Sequence, residues 1–174
     1  MQVLNYKEFR VTNEMLASKS KRLANYFIDR ILFYLIFIAV VFFAAMIAEL
    51  LGSEMVLQFL YDLENISPLL DTLITSVAFL IFYFILESIS QRTVGKLITQ
   101  TKVVLENGDK PTPDTIIIRS LCRIIPFEPF SFLGEIPRGW HDTLSKTYVV
   151  DTRIFDEQKK AHKDYLLIGK EADY

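Results

Sequence analysis

Arg22, Asn25, Tyr26 and Asp29 fall at i, i+3, i+4 and i+7, so a single helix carries all four on one face. That face leads into an uncharged apolar run from Ile31 to Ala48. A carboxylate beside an arginine at such a boundary can exchange a proton for a cation, since burial favours the protonated acid and the arginine favours the charged one. For this, Asp29 must face protein or water, because a carboxylate at the bilayer centre costs about 2.5–3.5 kcal/mol. In the plainer reading Arg22 and Arg30 snorkel to the interface and Asp29 pairs with one of them. Spacing alone leaves both open. Arg119 and Arg123 stand one turn apart, Lys96 follows a glycine, and His141-Asp142 lies late in the chain. Adjacent residues rarely meet as base and orienter, and no nucleophile motif, phosphate-binding glycine loop or HExxH accompanies them, so the expectation is no enzyme.

These side chains need a membrane to position them. Eighteen apolar residues from Ile31 at about 1.5 Å rise give roughly 27 Å, close to the hydrocarbon thickness of a bilayer. A helix of a soluble core would show a polar stripe, and this run has none. The first span is expected over about 22–51, with Gly52-Ser53 as its stop. Ser67-Pro68 offers a cap and a first-turn proline for a second span over about 69–89. Asp71 and Glu87 near its ends read as interfacial carboxylates. The intervening loop, acidic and apolar by turns, suits an amphipathic piece on the outer surface.

Charge distribution sets the orientation. All 19 Lys and Arg lie in residues 1–30 or 92–174, none between Ile31 and Gln91. Cytoplasmic flanks collect Lys and Arg while translocated loops do not, so both termini are expected in the cytoplasm. The net charge of −2 averages unlike segments, and none is basic enough for nucleic acid. One cysteine and two histidines make a disulfide framework or a zinc site improbable, and no cofactor is expected.

Beyond Gln91, Leu97 to Leu105 partly alternates as a strand would, Asn107-Gly108 signals a turn, and Thr112-Pro113-Asp114 opens a short helix to about Ile125. That helix is too short and too charged to span. Pro126 and Pro129 interrupt the Phe-rich stretch after it, which fits an interfacial or re-entrant segment. Gly95 and Gly108 are explained by turns. TKVV (101–104) and TYVV (147–150) resemble two strands that can pair, and residues beyond Asp151 read as a charged tail. The expected fold is therefore an α-helical integral membrane protein. It has two transmembrane helices, a short amphipathic or re-entrant helix and a small cytoplasmic two-stranded element. Its parts are a lead-in (1–17), a membrane domain (18–152) and a tail (153–174). Arg119 and Arg123, near Trp140 and several Phe, suit anionic lipid head groups, or else pair with Glu128 or Asp142.

Together, Arg22…Asp29, Thr93-x-Gly95-Lys96, Lys102-Val103-Val104, Arg119 and Arg138-Gly-Trp-His-Asp142…Lys146-Thr147-x-Val-Val resemble the RDD family of bacterial membrane proteins. LCRIIPFEPFSFLG…RGWHD…SKTYVV is similar to the version found in the Bacteroidota. The resemblance makes Arg22, Asp29 and Asp142 the signature positions, with Asn25, Lys96, Arg119, Arg123 and His141 as supporting polar residues. It implies a bacterial inner membrane protein and a part in transport of a small ion or solute, including cation/proton exchange. On that reading Asp29 binds the ion or proton, Arg22 is its counter-charge, and Asp142 approaches from the cytoplasmic side, paired with Arg119 or Arg123. Two spans enclose almost no pathway, so transport requires a homo-oligomer or another membrane protein. The competing reading is an accessory or assembly subunit whose charges form a structural network. Many members carry glycine where this chain has Gln91 and Gln100, and many carry a further span before the last Asp that PFEPFSFLGEIP cannot supply.

Overall fold

The computed structural model describes residues 8–125 and 127–171. Residues 1–7 of the lead-in, Pro126 and residues 172–174 of the tail lie outside the described residues. The chain runs α1 (Lys19–Leu50), α2 (Glu54–Glu64), α3 (Pro68–Ser90), α4 (Val94–Ile98), β1 (Thr101–Leu105), α5 (Pro113–Cys122), α6 (Trp140–Leu144), β2 (Thr147–Asp151) and α7 (Thr152–Glu171). Short 3-10 turns sit at Asn13–Met15 and Glu128–Leu133.

α1 starts where the Ser18 hydroxyl accepts from the Lys21 amide. Its 32 residues rise about 48 Å, more than a bilayer core needs, so its polar first turns stand clear of the apolar run. It stops at Gly52, whose φ of 65° lets the Ser53 amide turn back to Ala48 O at 2.8 Å. α3 begins as its sequence implies, with Ser67 as cap and Pro68 in the first turn. α1 and α3 are both long and apolar enough to cross a membrane, and only 11% of each apolar window is buried within the chain. A core helix of a soluble protein would be covered by its own fold. Here Ile31, Leu35, Ile38 and Phe42 face outward, so the environment that covers them is lipid. α2 buries no residue, and Met55 and Phe59 lie exposed along it.

At the other end of the spans, β1 and β2 pair antiparallel with Val103 opposite Val149. The strand alternation read from Leu97 onward begins only at Thr101. Val94–Ile98 is helical instead, because the Thr93 hydroxyl caps it by accepting from the Lys96 amide. The Asn107-Gly108 turn does not lead to the partner strand. It folds back so that the Leu105 amide donates to Asp109 O at 2.9 Å. Among the described residues no third long helix precedes Asp142, and the Phe-rich stretch contains only the 3-10 turn Glu128–Leu133.

The lead-in and the tail pack on the sheet rather than flank it. Leu16 bridges Val150, and the Ala17 amide donates to Val149 O at 2.9 Å. Phe155 of α7 is buried with Met15, Leu16, Val104 and Val150, and Phe9 meets it edge-on at 5.6 Å. Full burial of such a ring contributes about 1.5–3 kcal/mol. One small core therefore crosses both boundaries drawn at 17/18 and 152/153.

Gln91 and Gln100 both adopt left-handed backbone, with φ of 60° and 57°. Gln91 ends α3 and its side-chain amide donates to Val103 O at 3.2 Å. A glycine would adopt either conformation without strain.

Candidate functional site

The first turns of α1, the end of α3, α4, α5 and α6 converge on a buried cluster of charged side chains. Glu87, expected at an interface, is fully buried on α3 and is the hub. It accepts from Lys96 Nζ at 2.8 Å, Arg119 Nε at 2.8 Å and Arg123 Nη2 at 3.1 Å. Its register allows this, because Glu87 lies one turn below Tyr83 on the helix face that α5 covers. Arg123 also lies over the Tyr83 ring, 4.0 Å from its centroid.

Arg119 links this hub to a second carboxylate. Its Nη1 donates to Asp142 and, at 2.8 Å, to the Thr147 hydroxyl. Asp142 also accepts from Arg22 and, at 2.9 Å, from the Gly139 amide at the start of α6. The pairing sets Arg22 against Asp142 and His141, 120 and 119 residues away in sequence, and not against Asp29. Arg22 is therefore no snorkelling residue. Arg119, with 0% exposure, reaches no lipid surface, and it pairs with Asp142 instead.

Burial works against a charge on Asp142, but Arg22, His141 and Arg119 outweigh it and hold the carboxyl well below the usual range. Arg119, although desolvated, is held above the ordinary arginine range by Glu87 and Asp142. Burial lowers His141 despite the neighbouring Asp142, with Arg119 and Arg123 adding to the effect. Nδ1 of His141 faces Glu128, while its Nε2 lies 3.3 Å from Arg22 Nη2 and 3.2 Å from Asp142 Oδ1. Glu128 is held below its usual range: burial opposes this, but the His141 hydrogen bond and charge prevail.

Asp29 stands apart from these pairs. It accepts from the Thr93 hydroxyl at 2.5 Å, the Gly95 amide at 2.8 Å and the Tyr83 hydroxyl at 3.3 Å. Its direct partners are thus hydroxyls and an amide at the start of α4. Asn25, one turn earlier, spans Thr99 and Thr101. With its nitrogen toward Thr99 it also donates to Gly95 O at 2.9 Å. Gly95 is not explained by a turn, as it lies inside α4. A Cβ there would sit 2.7 Å from Asn25 O and 2.9 Å from Asp29 Oδ1, so only glycine lets α4 dock on α1.

A cavity of about 600 Å³ lies between α1 and α3 above this cluster. Its wall follows α1 from Arg22 to Phe37 and α3 from Asp71 to Tyr83, and Glu128 and His141 close its base. Arg30 lines it with its guanidinium 4.4 Å from the Phe79 ring centroid, a cation–π contact in place of an ion pair. Among the described residues, no group of three or more His, Cys, Asp or Glu side chains is placed to hold a metal ion.

The structure brings Arg22, Arg119, His141 and Asp142 into one contact group. Lys96 and Arg123 join it through Glu87, while Asn25 and Asp29 form a neighbouring group around α4. The site also takes in Glu87, Glu128, Tyr83, Thr93 and Thr147, which the sequence reading does not place there. A signal for Glu87 existed in the excess of Lys96, Arg119 and Arg123 beyond the span, cations in need of a buried acid. No curated protein and no solved structure matches the chain. The RDD family model matches residues 16–156, from the residues that join the sheet before α1 to the first turn of α7, and the chain belongs to the RDD family.

Proposed function

We propose that this RDD protein is a non-enzymatic, multi-pass protein of the bacterial inner membrane, with both termini in the cytoplasm. It takes part in moving a small ion or solute, with cation/proton exchange as the mechanism. The supporting observation is the cavity between the spans, which reaches from His141 and Glu128 to Asp71 and has the Asp29 carboxylate on its wall. Asp29 is held by hydroxyls and an amide, so neutralising it breaks no ion pair. That suits a group that alternates between proton and cation. Arg22 contributes by fixing Asp142 and the base of the cavity, not as counter-charge to Asp29. Two spans do not surround a path, so a second copy or another membrane protein completes it. The remaining partners are the bilayer and its anionic inner-leaflet lipids.

The test is ion-driven proton flux in proteoliposomes, comparing the purified protein with Asp29→Asn. Flux that disappears in a folded, inserted variant supports the reading, whereas equal flux from both removes Asp29 from the path. The second reading, an accessory or assembly subunit, is favoured by the Glu87–Arg119–Asp142–Arg22 chain of ion pairs, which ties α3, α5, α6 and α1 together. No flux from either protein, with loss of oligomer or stability in the variant, selects that second reading.

A further inference from the structure

The base of the cavity holds more hydrogen-bond donors than its own acids can satisfy. Arg22 is 5% exposed, and its Nε and Nη1 have no partner. Nη2 of the fully buried Arg119 and Nε of Arg123 are also unpartnered. All three arginines line the cavity. Leaving a buried donor unpaired is costly, and more so when the group is charged. Four such nitrogens at one place are an open requirement for oxygen acceptors.

The carboxylates nearby are already engaged. Glu87 serves three cations, and Asp142 serves Arg22, Arg119 and the Gly139 amide. Asp29 is taken up by Thr93, Gly95 and Tyr83, and Glu128 by His141. The ring contacts of Arg22 with Phe132 and of Arg123 with Tyr83 supply no acceptor for the free N–H groups.

We propose that the base of this cavity binds one anionic group, a phosphate or carboxylate, clamped between Arg22 and Arg123 with Arg119 beneath. Guanidinium forks match the paired oxygens of either group. The anion arrives as a lipid head group, its tail against Phe37, Phe79 and Phe130, or as a free solute. This site is independent of Asp29-dependent flux, and either can fail without the other.

Two sets of measurements of unfolding temperature test it, each on wild type, Arg22→Lys and Arg123→Gln. In neutral detergent, inorganic phosphate is titrated at constant ionic strength. In nanodiscs, phosphatidylglycerol replaces phosphatidylcholine stepwise. Arg22→Lys keeps a cation for Asp142 but lacks the free Nε and Nη1 donors, and Arg123→Gln tests the site should the lysine variant fold poorly. A saturable rise in wild type, with about tenfold more anion needed by the variants, supports the site; tenfold corresponds to about 1.4 kcal/mol. A rise with phosphate assigns it to a free anion, and a rise with phosphatidylglycerol alone assigns it to lipid. No saturable rise with either probe, or equal rises in all three proteins, overturns the proposal.

Discussion

Asp29 and Asp142 are both buried, yet they are held in opposite ways. Asp142 lies between two arginines and a backbone amide, while Asp29 lies among two hydroxyls and a backbone amide. The first arrangement needs the negative charge, because removing it strands Arg22 and Arg119 in a buried site. The second needs mainly the oxygen positions. Burial alone therefore does not set what a carboxylate needs from its surroundings; the charge of its partners does.

The largest effect is expected from breaking the charged side of this contrast. Asp142→Asn or Glu87→Gln leaves buried arginines uncompensated and should cost about 3–5 kcal/mol, seen as a large fall in unfolding temperature in detergent. Asp29→Asn keeps the shape and most hydrogen bonds and should cost about 1–2 kcal/mol. If the two aspartate variants lose equal stability in the same assay, the contrast is wrong.

Gly95→Ala tests the docking that holds Asp29. The added methyl meets the α1 backbone at Asn25 and the Asp29 carboxylate, so overpacking of about 1–3 kcal/mol is expected. Hydrogen exchange should show faster opening of α4 than of α5. Protection lost evenly over both would mean that the two groups are one unit.

Acid sharpens the contrast from the charged side. The folded protein resists protonating His141, so the unfolded chain binds that proton more readily. Stability from this group is complete above the unfolded value, about pH 6.5, and falls as pH drops below it. Asp142 and Glu128, held low in the fold, add a second loss below about pH 4. Denaturant midpoints from pH 8 to 3 should step down twice. A His141→Gln variant that folds should lose the upper step, and retention of that step would assign it to another group.

The smallest effect concerns the linker from α4 to the sheet. Gln100 is exposed and left-handed, so Gln100→Gly should gain up to about 1 kcal/mol, read as a small rise in unfolding temperature. Gln91→Gly should gain less, since it forfeits the bond to Val103 O.

Much of this was legible in sequence because it is local. Ser67-Pro68 and Thr112-Pro113 cap helices through amides three residues on, and the apolar runs of α1 and α3 measure their own length against a bilayer. Arg22 and Asp29 share one helix face where the first span begins, and the resemblance to the RDD family added Asp142. Their partnerships were not legible. Spacing placed Arg22 and Asp29 on one face and suggested that they meet, whereas α4 wedges Thr93 and Gly95 against Asp29 and α6 brings Asp142 to Arg22. Glu87 looked interfacial because its cations lie 9, 32 and 36 residues further on. By itself, then, the sequence determined the spans, their caps and the supply of buried charge, since those depend on composition and neighbours a turn away. Only the tertiary structure decided which charge meets which. Ion pairing depends on distance in space, and that distance is set by the packing of α4, α5 and α6 beneath the spans.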